Sequence, residues 1–173
     1  MTVETGAYET GGRAPAGEGP LRPQPSAHGL DQSCMSHLIG YHITQANVAS
    51  RKAFNRAIGE PRKLSPVEFT ILMLVASNRD TTQKQLSQAL AVSAPNVTAL
   101  VDRMNERDLL KRVRNENDRR SQQLRLTRKG ATLVREVREV SLTMERDLLR
   151  HLSDAERAML IELLQKVARG GRA

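Results

Sequence analysis

Residues 82–104 read TQKQLSQALAVSAPNVTALVDRM, and they predict two short helices joined by a tight turn. Thr82 followed by Gln85 has the spacing of an N-terminal capping box, and Ser93 is of the residue type that caps a second helix. Residues 109–130, LLKRVRNENDRRSQQLRLTRKG, then predict a basic hairpin. A helix, a turn, a second helix and a two-stranded wing form the layout that fits one DNA major groove and the neighbouring minor groove.

The second of these helices has the two faces that a DNA-recognition helix requires. Its apolar residues follow the i, i+3, i+4, i+7 spacing of a buried stripe: Val97, Leu100, Val101 and Met104. The polar residues that remain free are Ser93, Asn96, Thr98 and Arg103. Asparagine can pair with adenine, arginine with guanine, and a threonine methyl with thymine, so we predict that these residues contact DNA. Taken singly, each is also typical of a solvent-facing side chain. Thr82 and Lys84 of the first helix are predicted to lie near phosphates, which position a protein without specifying sequence.

The hairpin carries the charge expected of a DNA-binding wing. The chain has a formal charge of +8, and residues 111–129 hold eight basic side chains against only Glu116 and Asp118. Arg119 and Arg120 fall at the expected tip, where arginine can enter a narrow, electronegative minor groove. Asp118 is predicted to pair with a neighbouring arginine and so to hold the shape of the wing. A polyanionic partner, double-stranded DNA, is the interpretation that this clustering favours.

Capping signals and apolar periodicity predict the other helices. The first is expected from Cys34 to Ala57, closed by Gly59 and Pro61. Further helices are expected to start at two capping boxes and one capping threonine, which begin at Ser65, Ser153 and Thr127. The predicted order is four helices, a hairpin and two helices.

Composition places the chain among helical intracellular proteins. At 173 residues it is long enough for one domain with a core, and with no Trp, two Tyr and two Phe that core must be aliphatic. Residues 1–33, rich in Gly and Pro, predict a disordered tail. The single cysteine, Cys34, fits a reducing compartment. The sequence shows neither a secretory signal nor an apolar run of about 18 residues that could span a membrane, so we expect a cytoplasmic protein.

The stretch from Ser93 to Gly130 resembles the MarR family of winged helix-turn-helix regulators, and the resemblance extends from Leu38 to Val167. It implies a mainly α fold with a small β wing and with dimerisation helices at both ends. Residues 34–64 and 128–169 would form the helical dimerisation region, and residues 65–127 the DNA-binding domain. The resemblance also implies a homodimer on a palindromic operator, and the Asp118–Arg119–Arg120 run matches a recurring wing feature of the family.

The same resemblance implies a small-molecule effector, in many members an aromatic acid or its thioester, lodged between the dimer helices and the DNA head. The sequence offers basic, aromatic and thioether side chains for such a ligand: Tyr41, His42, Arg51, Phe69 and Met73. The alternative interpretation is that Phe69 is a helix staple, Met73 a core residue and Arg51 a partner in a surface ion pair.

Other classes of function find less support in the sequence. We expect no enzyme, no cofactor and no metal site, because the four histidines lack ligand spacing and no phosphate-binding or nucleophile motif is present. A thiol-based redox switch at Cys34 is disfavoured, since His37 occupies the sensing position of the family and Pro66 and Phe69 replace its tyrosines. The main alternative to a ligand-responsive repressor is a constitutive or architectural DNA-binding protein.

Overall fold

The structure, a computed structural model, describes residues 29–114 and 122–170, and the chain divides into two units at Ile43. A short 3₁₀ helix covers Ser33–Met35. The helices are α1 (Ile39–Phe54), α2 (Glu60–Arg62), α3 (Pro66–Ser77), α4 (Gln83–Leu90), α5 (Ala94–Glu106), α6 (Arg128–Leu148) and α7 (Asp154–Gly170). The strands are β1 (Thr81–Thr82), β2 (Leu110–Arg114) and β3 (Gln122–Leu126). The predicted class, mainly α with a small β wing, is confirmed.

The predicted bounds of the first helix are wrong at both ends. Cys34 lies in the 3₁₀ helix, and α1 begins only at Ile39. At the other end the chain passes from α1 into a π-helical turn, Asn55–Gly59, and then into α2. A proline inside an α-helix crowds the carbonyl four residues back, and the wider π turn before Pro61 relieves that crowding. The helix ends at Lys63, which adopts the left-handed conformation with φ 50°.

Three predicted capping boxes are present. In the first, the Glu68 backbone N–H donates to Ser65 Oγ at 3.2 Å, and Glu68 Oε2 accepts from the Ser65 backbone N–H at 2.8 Å. The boxes at Thr82–Gln85 and Ser153–Glu156 repeat this reciprocal pattern. Thr127 also caps α6 as predicted, through a 3.0 Å bond from the Gly130 N–H.

The predicted cap at Ser93 is wrong, because the side chain of Ser93 makes no capping hydrogen bond to α5. The second residue of that helix is Pro95, which has no N–H to offer the Ser93 hydroxyl. The helix start is instead held by the backbone, with the Val97 N–H donating to the Ser93 carbonyl at 3.0 Å. The Ser93 side chain stays exposed at the N-terminal end of α5.

The sheet has three strands in the order β1-β3-β2, all antiparallel, where the sequence predicted two. The extra strand is β1, in which Thr81 pairs with Leu124 and Thr82 with Gln123. A strand of two residues has too few positions to show the alternation that identifies strands in a sequence. Because Thr82 is also the N-cap of α4, β1 joins the base of the wing directly to the helix-turn-helix.

One hydrophobic core holds α5 against the rest of the head. The predicted apolar stripe of α5 is buried at Val97, Val101 and Met104, with Leu100 packed against the core at partial exposure. The other buried apolar residues come from α1, the π turn, α3, α4, the sheet, α6 and the connections before α3 and β2: Phe54, Ile58, Leu64, Ile71, Leu72, Val75, Leu86, Leu109, Leu110, Leu124, Val134 and Val137. Burial of this stripe leaves the polar residues of α5 on the outside.

Where α5 ends, the wing and α6 meet at a single tight junction. Asp108 adopts the left-handed conformation, with φ 55°, and turns the chain into β2. The Thr127 N–H donates to the Leu109 carbonyl at 3.1 Å, and the Thr127 hydroxyl donates to the Asp108 carbonyl at 2.6 Å. A Cβ placed on Gly130 would lie 2.0 Å from the Leu109 carbonyl oxygen, so only glycine permits this approach.

The different helix starts at Ser65 and Ser93 predict different effects on the free energy of unfolding. Ser65→Ala should lower the free energy of unfolding by about 1–2 kcal/mol, because it removes an N-cap acceptor beside a buried glutamate. Ser93→Ala, at the start of a helix without a side-chain cap, should change it by less than about 0.5 kcal/mol. Chemical denaturation of both variants checks this, and equal losses would contradict the distinction between the two helix starts.

Candidate nucleic-acid interface

One edge of α5 presents Asn96 and Arg103, both exposed. The two side chains lie seven positions apart, on the same side of the helix. Both line a shallow cavity of about 300 Å³ that also includes Ser65 and Val67 at the start of α3. An amide and a guanidinium on one exposed edge can form paired hydrogen bonds with base edges in a major groove.

The other edge of α5 faces the wing and is engaged within the protein. The Thr98 hydroxyl donates to the Ala94 carbonyl at 3.0 Å and also meets the side chain of Gln83. Asp102 forms an ion pair with Arg112 of β2, with Asp102 Oδ1 and Arg112 Nη2 2.6 Å apart. The hydroxyl of Thr98 is therefore occupied, and its methyl is the group that remains for a thymine contact.

The N-terminal ends of α4 and α5 carry the remaining predicted contacts of the helix-turn-helix. Lys84 and Ser93 are exposed there, while Thr82 is half-buried with its hydroxyl committed to the capping box. Helix N-termini attract phosphate through free backbone N–H groups and the helix dipole. Lysine and serine at these ends suit contacts to the DNA backbone rather than to bases.

The basic residues of the hairpin do not all have the same environment. Arg112 pairs with Asp102, and Arg125 of β3 pairs with Asp80 at 3.2 Å. Lys111 and Arg114 are exposed on β2. Arg128 and Lys129 lie beyond the sheet, in the first turn of α6. The predicted wing-tip residues, Asp118, Arg119 and Arg120, lie outside the described residues.

The residues predicted to bind an effector fall into separate settings. Tyr41 donates a hydrogen bond to Gln32 and stacks edge-on against His42, whose Nε2 lies 2.8 Å from the Ser36 carbonyl oxygen. Arg51 is exposed on α1. Phe69 and Met73 pack against the core at partial exposure, and the ring of Phe69 meets that of Phe54 edge-on with ring centres 5.6 Å apart.

The sequence did not predict a cationic cavity of about 600 Å³ beside the junction of the head and α6. Leu109 and Leu133 supply apolar surface, and Glu136 supplies the one carboxylate of the lining. The basic side chains of the lining are Arg62, Lys63, Arg107, Arg128 and Lys129. They come from three separate stretches of sequence, so no motif connects them. The signal that could have found them was the excess of lysine and arginine at the ends of predicted helices.

Two of these cations are held by carboxylates. Arg62 pairs with Glu136 at 3.3 Å, and Arg107 lies 3.6 Å from the buried Glu68 while donating to the Arg62 carbonyl at 3.2 Å. Lys63 and Arg128 form no ion pair within the described part of the chain. The lining therefore combines a net positive charge with apolar surface, which suits an acidic organic ligand.

Within residues 29–114 and 122–170, no group of His, Cys, Asp and Glu side chains is arranged to hold a metal ion. No helix in that part of the chain is long and apolar enough to cross a membrane. Cys34 is exposed, and as the single cysteine of the chain it has no internal disulfide partner.

A buried apolar stripe on α5, an exposed polar edge and a three-stranded sheet define a winged helix-turn-helix DNA-binding protein. Comparison with known sequences agrees: the sequence model of the MarR family matches residues 63–121. The chain belongs to the MarR family, whose members are transcriptional regulators that bind DNA.

Two curated relatives are similar over most of their length. The putative transcriptional regulatory protein for the hcr operon of Thauera aromatica is 27% identical over 140 residues, covering 81% of this chain and 84% of the relative. The uncharacterized HTH-type transcriptional regulator YpoP of Bacillus subtilis is 30% identical over 122 residues, covering 68% and 86% respectively. Among solved structures, the transcriptional repressor CouR bound to a 23-mer DNA duplex superposes with a TM-score of 0.75 at 29% identity, covering 80% of this chain and 98% of CouR. The relatives are regulators and not enzymes.

Base contacts from the exposed edge of α5 can be tested by alanine substitution. Asn96→Ala or Arg103→Ala should each weaken binding to an operator, selected from random duplexes, by about 1–3 kcal/mol, because a paired base contact is lost. Binding to random DNA should change little, which gel-shift titration on both duplexes measures. Asn105→Ala, at the far end of the same helix, is the matched control and should bind like the wild type. Equal weakening on both duplexes would instead place Asn96 and Arg103 against the DNA backbone.

Proposed function

We propose that the protein is a homodimeric repressor that binds a palindromic operator near catabolic or efflux genes and releases it when a small acidic ligand binds. The DNA contacts proposed for the head are Thr82, Lys84, Ser93, Asn96, Thr98, Arg103, Asp118, Arg119 and Arg120. The observation that carries the dimer is an apolar helix face without cover, and the observation that supports the ligand is the cationic cavity.

The uncovered face lies on α7. This helix has no buried residue, and its large apolar side chains are 39–54% exposed: Met159, Leu160, Ile161, Leu163, Leu164 and Val167. Leu142 on α6 is 64% exposed as well. Contiguous apolar surface of this kind is rare on a monomer and marks an interaction surface. A second copy of the chain is the partner that the function favours, because two-fold symmetry gives two identical heads for the two halves of a palindrome.

The dimer hypothesis is tested by placing one charge in this face. Leu163→Glu should convert the dimer into a monomer, because the buried carboxylate would have no partner at the interface. Gln165→Glu adds the same charge to an exposed polar position of α7 and should leave the dimer intact. Sedimentation velocity measures both, and operator affinity should fall only for Leu163→Glu. A wild-type protein that sediments as a monomer at micromolar concentration would contradict the proposal.

The cationic cavity supports an acidic effector for a geometric reason. It is bordered by the end of the long first helix at Arg62 and Lys63, by the end of α5 at Arg107 and by the start of α6 at Arg128. A carboxylate or phosphate bound there would compete with Glu68 and Glu136 for the arginines that join these elements. A ligand changes DNA affinity only if it binds the two head positions with different affinity, and a site where the head meets α6 is placed to differ between them.

Titration of aromatic acids and acyl thioesters against a labelled operator tests the effector. An effector should raise the operator dissociation constant by about 5- to 150-fold, and operator DNA should weaken effector binding by the same factor. Arg128→Gln should blunt this response if the cavity binds the ligand, whereas Arg51→Ala or His42→Ala should blunt it if the sequence-predicted residues do.

Cys34→Ser should respond like the wild type, and loss of a peroxide response in that variant would favour a thiol switch.

The experiment tests the response to an effector separately from the repression of transcription. If calorimetry finds no binder in the panel, or the binders leave operator affinity unchanged, a constitutive DNA-binding protein takes the place of the ligand-responsive one. A reporter fused to the selected operator then decides the sign of regulation, since a repressor lowers its expression and an activator raises it.

A further inference from the structure

A small polar network joins three elements of the DNA head at their outer surface. Arg112 of β2 reaches α5, where its Nη2 lies 2.6 Å from Asp102 Oδ1. The amide of Gln83, the first residue of α4, lies 3.0 Å from both Nε and Nη2 of Arg112 and 3.0 Å from the Thr98 hydroxyl. Thr98 and Asp102 are four positions apart on α5, so they share one edge of that helix. We call these four residues the polar bracket.

The donors and acceptors of the bracket match in only one orientation of the Gln83 amide. The Thr98 hydroxyl has a single proton, which it donates to the Ala94 carbonyl at 3.0 Å, so it can only accept from Gln83. With the amide nitrogen toward Thr98, the amide oxygen faces Arg112 and accepts from its Nε and Nη2 at 3.0 Å. The opposite orientation would set an amide NH₂ group against a guanidinium. Each group of the bracket then acts either as a donor or as an acceptor toward its neighbour, and these bonds fix the orientation of the Arg112 guanidinium.

We propose that the polar bracket sets the position of the wing relative to the recognition helix, and that Arg112 and Asp102 are positioning residues for DNA binding. A winged head must fit two grooves at once, so the distance between α5 and the β2–β3 hairpin has to match the duplex. The hydrophobic core anchors the base of the hairpin through Leu110 and Leu124. Arg112 pairs with Leu124 in the sheet and sends its side chain back to α5 from that point.

The bracket contributes more to position than to stability. The side chains of Arg112 and Asp102 are 28% and 47% exposed, and an ion pair with that exposure adds little to the free energy of unfolding. A planar guanidinium held by a carboxylate and an amide is nevertheless directional, and contact groups must be held to within about 0.5 Å to act together. Loss of the bracket should therefore leave a folded protein whose wing is poorly placed.

The charge of Asp102 makes the proposal testable by the sign of an effect. A carboxylate on the DNA-facing helix repels phosphate, so its removal should strengthen DNA binding if electrostatics alone acted. If Asp102 positions the wing, the same removal should weaken operator binding. Arg112→Lys gives a second test at constant charge, because lysine keeps the cation but loses the planar fork.

The experiment compares operator affinity, random-DNA affinity and salt dependence in four full-length proteins. Asp102→Asn and Arg112→Lys should each lose roughly tenfold in operator affinity, because a displaced wing no longer fits the minor groove, and the slope of affinity against salt should fall only by the one or two contacts that the wing makes. Random DNA should be bound as tightly as by the wild type, or more tightly by Asp102→Asn. The control is Asp80→Asn, which breaks the 3.2 Å pair with Arg125 on the same sheet but touches no residue of α5, and it should stay within about twofold of the wild type.

A double mutant separates a joint role from two independent ones. If the bracket acts as a unit, Asp102→Asn combined with Arg112→Lys should bind the operator no worse than the weaker single variant. Additive losses, or an Asp102→Asn protein that binds the operator as tightly as the wild type, would overturn the proposal. So would equal losses in the Asp80→Asn control. Thermal unfolding of every variant confirms that the comparison is made between folded proteins.

Discussion

The close approach of Gly130 to the Leu109 carbonyl is the constraint on which the arrangement of the head depends. At this point the recognition helix has just ended, the first wing strand begins, and α6 leaves the head. A Cβ at position 130 would lie 2.0 Å from a backbone oxygen, so any other residue would push α6 away from the sheet. The bonds from Thr127 to the carbonyls of Asp108 and Leu109 hold the same contact from the other side. The head therefore contacts α6, the helix proposed for dimerisation, through backbone atoms.

Glu68 shows how one side chain serves local and tertiary structure together. One of its carboxylate oxygens completes the capping box of α3, and the other faces Arg107 at the end of α5. Arg107 in turn donates to the Arg62 carbonyl, beside the pair between Arg62 and Glu136. The end of the recognition helix is thus connected to the first long helix and to α6 through charged groups. An acidic ligand in the neighbouring cavity would meet these same groups, which is why the proposed effector and the proposed DNA contacts can influence each other.

The positive charge of the hairpin region is divided among different tasks. Arg112 and Arg125 are neutralised by Asp102 and Asp80, while Arg128 and Lys129 line the cationic cavity. Lys111 and Arg114 are the exposed basic residues of the described wing strands that have no ion pair there. Net charge draws the protein to DNA, but the ion pairs decide which cations remain available to it.

The amino-acid sequence by itself determined the local structure. The capping boxes at Ser65, Thr82 and Ser153 and the buried stripe of α5 are visible in it, because each depends on residues within about two turns, and the hairpin is marked by its run of basic residues. It also determined the family, through the stretch from Ser93 to Gly130. It did not reveal that the first helix continues past Gly59, since glycine and proline at positions 59 and 61 are the residues that normally close a helix.

Only the tertiary structure decided which distant residues meet. The pairing of β1 with β3, the polar bracket and the cationic cavity each combine segments far apart in the chain, and no spacing rule connects such segments. The role of Arg112 is the clearest example. In the sequence it is one of several arginines that could bind phosphate, but in the fold it forms an ion pair with Asp102 instead. Charge can be read residue by residue, but the partner of a charge is set by the path of the backbone.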